Sequence, residues 1–103
     1  MILGKVVGQV ISTHKDEGLK GFKLLAVQHL SLDMEPKPAF VIACDAVGVG
    51  EGEVVLVVQG SSARIAEPTK DRPVDAAVIA VVDHIDVEGK RIWTKFETAG
   101  AAS

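Results

Sequence analysis

The chain has 103 residues, one domain's worth, and 48% of them are hydrophobic, with a mean hydropathy of +0.29. No apolar run reaches the ~18 residues of a membrane span, and a net charge of −3 with 4% aromatic residues supplies neither a basic face nor a stacking platform for nucleic acid. One cysteine, Cys44, excludes an internal disulfide framework and suits a reducing compartment.

The start, MILGKVVGQV, has no long apolar stretch and no cleavage-like site, so a cytoplasmic location is expected. ILGKVVGQVIS, residues 2–12, reads as a long first strand. Gly4 and Gly8 stand four apart in it and are expected on one face, where glycine marks a bend or a close backbone approach. THKDEGLKG, 13–21, is a polar loop, and FKLLAVQHLS, 22–31, a second strand. LDMEPKP, 32–38, carries Pro36 and Pro38 and reads as a turn or loop. AFVIACD, 39–45, is a short third strand with a buried look, and AVGVGEGE, 46–53, a glycine-punctuated connection. VVLVVQ, 54–59, is a fourth strand.

At Gly60 the β pattern stops. SSARIAE has no alternation, Ser61 is a good N-cap, Ala63, Arg64 and Ala66 favour helix, and Pro68 ends the run. One helix of one to two turns is expected there. PTKDRP is an exposed loop. VDAAVIAVVDHIDV, 74–87, is a long fifth strand between Pro73 and Gly89. KRIWTKF, 90–96, is a last short strand that could pair back through Glu88 and Gly89. The whole is expected to be one mainly β domain over 1–96, a small five-stranded barrel of the oligonucleotide-binding (OB) type with one short helix. A small polar tail follows at 97–103.

Three stretches invite chemistry. GSSAR, 60–64, lacks the lysine and second glycine of a phosphate loop, and ends in Arg64 where a nucleophile elbow needs glycine. A set drawn from Ser62, His14 or His84 and Asp75 is conceivable, but no spacing demands it. The simpler reading is a strand end and helix cap. GVGEGE has Glu53 where a dinucleotide fingerprint needs its last glycine, and a strand follows it rather than a helix. His14, His29 and His84 share no metal-ligand spacing with Cys44, so no metal and no cofactor are expected. His29 reads as a surface or interface residue. Trp93, the one tryptophan, reads as an anchor in the core or on a neighbouring subunit. Arg64 and Asp75 flank the helix and its loop, and a salt bridge between them is expected.

The apolar excess needs a destination. A domain this small buries only about 60–70% of its unfolded surface, and a subunit interface resembling a divided core is the natural outlet.

GKVVGQVIST, GFKLLAVQ, VGVGEGEVVLVVQGSSAR and DRPVDAAVIAVVDHI, in this order and spacing, closely resemble the vertex proteins of bacterial microcompartment shells. These are the EutN-type proteins of ethanolamine-utilising compartments and the CcmL-type proteins of carboxysomes. The resemblance covers about Met1 to Trp93. It departs at Val54, where family members often carry Trp, and at Ala80, where glycine is common. It implies a structural protein and not an enzyme: a small barrel assembled as a cyclic homopentamer that caps the five-fold corners of a polyhedral shell in the bacterial cytoplasm. Hexameric shell proteins of the same compartment would be its partners, with no nucleic acid and no membrane. Gly60, Ser61, Ser62, Ala63, Arg64, Asp75 and Trp93 are then expected at the subunit contact or the central opening. An OB-like binder of a small ligand or oligonucleotide is the alternative, and a hydrolase using Ser61 or Ser62 a third reading.

Overall fold

A computed structural model describes residues 1–70 and 72–95. Seven strands follow in order: β1 (Ile2–Val10), β2 (Leu24–Leu30), β3 (Pro36–Asp45), β4 (Val54–Gln59), β5 (Ala76–Val81), β6 (His84–Val87) and β7 (Lys90–Thr94). The first five close into a barrel in the order β1-β2-β3-β5-β4, and β6 with β7 forms a separate two-stranded sheet. All barrel pairings are antiparallel except β3 with β5, a parallel pair of two rungs, Cys44↔Ala77 and Asp45↔Val78. This is the mainly β, five-stranded barrel expected from the sequence.

The barrel is narrow, and its side chains are chosen for that. Val6, Leu25, Val27, Ala43, Val49, Val55, Val57, Ala76 and Val78 fill it, so six of its nine core residues are valine. A short β-branched side chain suits both the strand backbone and a tight interior. Gly4 marks where even an alanine would be too large: a Cβ there would lie 2.4 Å from Val27 Cγ1 and 2.8 Å from the Gln28 carbonyl oxygen. Gly8 does not share that face. Val6 pairs with Val27 and Gly8 with Ala26, so Val7 is an extra residue that bulges the strand and turns Gly8 outward, into open space.

A second cluster, Cys44, Ala63, Val74 and Ala77, sits outside the barrel wall, with Leu19, Phe22 and Leu24 against it. Loops carrying three short 3-10 turns, Glu17–Leu19, Gly60–Arg64 and Glu67–Thr69, form its cover.

Several sequence expectations are corrected. The expected helix is a single 3-10 turn, because only a few residues separate Gly60 from Pro68 and an i→i+3 bond, Ile65 N–H to the Ser62 carbonyl at 3.3 Å, closes first. The third strand starts at Pro36, not after the proline loop. Pro36 faces Leu30 across a register shift, a position that needs no regular ladder donor. The long fifth strand is two strands. Val82 N–H bonds to the Val54 carbonyl at 2.8 Å, ending the barrel ladder, and Lys95 N–H to the Asp83 carbonyl at 2.8 Å begins the hairpin. β7 is described to Thr94; Phe96 and the 97–103 tail lie outside the described residues.

Candidate functional site

β4 delivers the chain to Gly60, which adopts φ +65°, a left-handed conformation that glycine accepts without steric cost. The Gly60–Arg64 turn is then fastened at three points. Gly60 N–H donates to the Asp75 carbonyl at 2.7 Å, the Arg64 Nη1 donates to the Val74 carbonyl at 3.0 Å, and Ala63, fully buried, plugs into the outer cluster. Gly60, Ala63, Arg64 and Asp75 are therefore brought together within one chain, through backbone carbonyls. Arg64 and Asp75 form no salt bridge among the described residues; the guanidinium is turned to Val74 instead. Ser61 is not the cap either. The residue before the turn, Gln59, holds the extended cap conformation, and Ser61 and Ser62 lie exposed inside the turn. Neither hydroxyl bonds to a described histidine or acid, so no nucleophile–base pair is assembled there. No group of three or more metal-ligating side chains exists among the described residues.

Trp93 stands apart. It lies on β7 opposite Ile85, in the hairpin that leaves the barrel after β5, whereas Asp75 precedes β5. The hairpin has two unlike faces. His84, Asp86, Arg91 and Thr94 share one, where Arg91 Nε reaches Asp86 Oδ1 at 2.5 Å. Ile85, Val87 and Trp93 share the other, with Lys90 beside Val87. No barrel strand packs broadly against either face. Its base is tied down by Lys95 Nζ on Glu53 Oε2 at 2.6 Å, while Glu53 Oε1 accepts Gly50 N–H at 2.9 Å. The Lys95 hydrogen bond, and next the Gly50 amide, hold the Glu53 carboxyl below its ordinary range.

Sequence reasoning missed the outer face of β3. AFVIAC is apolar at every position, so alternation cannot say which face is covered. Val41 and Ala43 point in; Phe40 and Ile42 point out and are 61% and 48% exposed. Beside Ile42 the loop cover stops and leaves an open cleft of about 220 Å³ lined by Leu19, Leu24, Ile42, Cys44, Pro73, Val74, Asp75 and Ala76. Burial, and secondarily the Asp75 charge, push the Cys44 thiol up. His29, opposite Gly4, is half-buried, and its Nε2 has no hydrogen-bond partner among the described residues.

Among the described residues no nucleophile–base pair and no metal-ligand group is assembled, and large apolar side chains such as Phe40 and Ile42 are left exposed. Residues 1–83 match the family described as ethanolamine utilisation protein EutN/carboxysome. The carboxysome shell vertex protein CcmL of Synechococcus elongatus is 42% identical over 94% of this chain and 98% of its own. The microcompartment shell vertex protein EutN of Salmonella typhimurium is 40% identical over 92% of this chain and 96% of its own. The solved CcmL of Nostoc superimposes with a TM-score of 0.88 at 43% identity, over 92% of this chain and all of the other. The pentameric shell protein GrpN of Rhodospirillum rubrum does so at 0.77 and 44%, over 84% and 99%.

Proposed function

The chain belongs to the EutN/CcmL family, and from that premise we propose that it is a structural shell protein whose homopentamers cap the vertices of a bacterial microcompartment in the cytoplasm. One observation carries this reading: the barrel superimposes on a pentameric shell protein over most of both chains. The physics supplies the reason such a chain would assemble. A contact between two different patches of one subunit, repeated head to tail, closes a ring when each step is one-fifth of a turn. Phe40 and Ile42 on β3 and Ile92 on the hairpin are exposed apolar side chains on different parts of one molecule. A flat layer of hexagonal tiles closes into a polyhedron only where pentagons interrupt it, so hexameric shell proteins of the same compartment are the partners.

The role needs no catalysis, and the exposed serines are not nucleophiles. Gly60, Ser61, Ser62, Ala63, Arg64 and Asp75 form one fastened edge that serves at the subunit contact or lines the central opening. Trp93 anchors the contact from the hairpin. Native mass spectrometry tests the ring: a five-subunit species is expected, and a monomer or dimer at micromolar concentration overturns the reading. The double variant Ser61→Ala/Ser62→Ala should keep the pentamer, while loss of a measurable hydrolysis on that change would make the chain an enzyme. Coexpression with hexameric shell proteins tests the role itself. Omitting this chain should leave shells open at their corners.

A further inference from the structure

The connection from β1 to β2, residues 11–23, lies over the outer cluster as a strap. Its ends are fixed, because Val10 and Leu24 are paired in the barrel wall. Its middle is folded on itself. Asp16 Oδ1 accepts the Gly18 N–H at 2.7 Å, the Leu19 and Lys20 amides bond back to the Asp16 and Glu17 carbonyls, and the Phe22 amide reaches the Leu19 carbonyl at 3.2 Å. The exposed ion pair of Lys20 Nζ with Glu17 Oε1, at 2.7 Å, also joins the strap only to itself. None of these bonds needs to break for the strap to lift.

What holds the strap down is one neighbouring segment, residues 72–74, and the cluster beneath. Gly18 sits directly on Pro73: a Cβ on it would lie 2.4 Å from the ring Cδ and 2.9 Å from Cγ. Arg72 reaches over from the same segment. Its Nη1 donates to the Gly18 carbonyl at 3.3 Å, and its guanidinium stands 5.7 Å from the centre of the Phe22 ring, within cation–π reach. Leu19 and Phe22 pack on the cluster of Cys44, Ala63, Val74 and Ala77. No strand packs broadly on the Glu17–Leu19 turn. A segment joined to its fold by few apolar contacts and by exposed hydrogen bonds opens at the low end of the stability range.

The latch and the cleft share residues. Pro73 seats Gly18 and also lines the cleft, Leu19 of the strap lines it as well, and Cys44, 3% exposed, lies between them in the lining. Parting Gly18 from Pro73 therefore widens the cleft into the outer cluster. We propose that residues 11–23 form a hinged strap, latched by the Gly18–Pro73 seat and by Arg72, whose release uncovers Cys44 while the barrel stays folded. The latch lies within one chain, so the device does not depend on the vertex reading.

Cys44 reports the opening, since its free thiol is buried when the strap is down. In the purified full chain, its rate of alkylation by iodoacetamide is measured in native buffer and in rising urea. Arg72→Ala removes the cation–π contact and the bond to Gly18, and should speed labelling by about threefold to tenfold. Gly18→Ala presses a methyl group against Pro73 and should speed it by about tenfold or more. Lys20→Ala, on the strap but off the latch, should change it by less than about twofold. The rate should be flat at low urea, the mark of a local opening, and climb only where the barrel unfolds. Equal labelling of the parent and both latch variants overturns the strap, as does a gain in Lys20→Ala matching that in Arg72→Ala. A rate that rises with urea from the start overturns it too, because the thiol is then reached only through global unfolding. Arg72 is exposed, so its variant keeps the test decisive should Gly18→Ala fail to fold.

Discussion

Gly4 and Gly8 look equivalent in the sequence and are not. Gly4 lies inside the barrel, where a methyl group would collide with Val27 Cγ1 and the Gln28 carbonyl, one a packed side chain and the other backbone. Gly4→Ala should therefore lower stability by about 1–3 kcal/mol, the cost of overfilling a closed core. Gly8 faces open space beyond the bulge. Gly8→Ala should raise stability by roughly 0.5 kcal/mol, because glycine inside a strand loses more chain entropy than alanine. Urea midpoints of the two variants check the pair, and equal destabilisation would contradict the bulge. The sequence shows two glycines at a spacing of four; it does not show that Val7 is the extra residue between them. That depends on which β2 residue each one faces, a long-range pairing that local pattern cannot encode.

Among elements, the Glu53–Lys95 bridge joins the loop before β4 to the end of the hairpin. Glu53 is depressed below its ordinary 4.5, chiefly by the Lys95 hydrogen bond. A carboxyl with a depressed folded pKa contributes stability above its unfolded pKa and loses that contribution as pH falls through the folded value. Acidification from about pH 6 to about pH 3 should thus cost the parent more than Glu53→Gln, by less than about 1 kcal/mol for so solvated a pair. Melting temperatures of the two chains across that range would show it, and parallel curves would remove the bridge's role. The element boundaries were legible where punctuation is local. β4 stands between Glu53 and Gly60, and its β-branched run reads directly. The division of β5 from β6 was not, since AAVIAVVDHIDV has no glycine or proline. The chain leaves the barrel there because Val82 pairs back to Val54 and Asp83 to Lys95, contacts made across the fold. Phe40 and Ile42 were hidden for a related reason: an apolar residue on the inner face and one on the outer face look the same in AFVIAC. Of the candidate site, the Gly60–Arg64 fastening was visible as a break in pattern, whereas its partners, the Val74 and Asp75 carbonyls, carry no side-chain signature.

At the scale of the molecule, the composition anticipated the outcome best. Apolar residues exceed what a barrel this narrow can hold, and part of the surplus lies exposed on the outer face of β3, at Phe40 and Ile42, and at Ile92 of the hairpin. The barrel that carries these surfaces is not equally strong around its circumference. Long antiparallel ladders bind most of the wall, but β3 and β5 meet through only two parallel rungs, with Ala46 N–H to the Val78 carbonyl at 3.2 Å beside them. Thermal breathing should begin at that clasp. Hydrogen exchange at Ala46 is expected to outpace exchange at Val27 and Val55 by at least tenfold, and uniform protection would refute it. Cys44 and Asp75 both sit next to this clasp, so whatever seats itself in the neighbouring cleft also buttons the cylinder shut, and a vertex would stiffen as it is built.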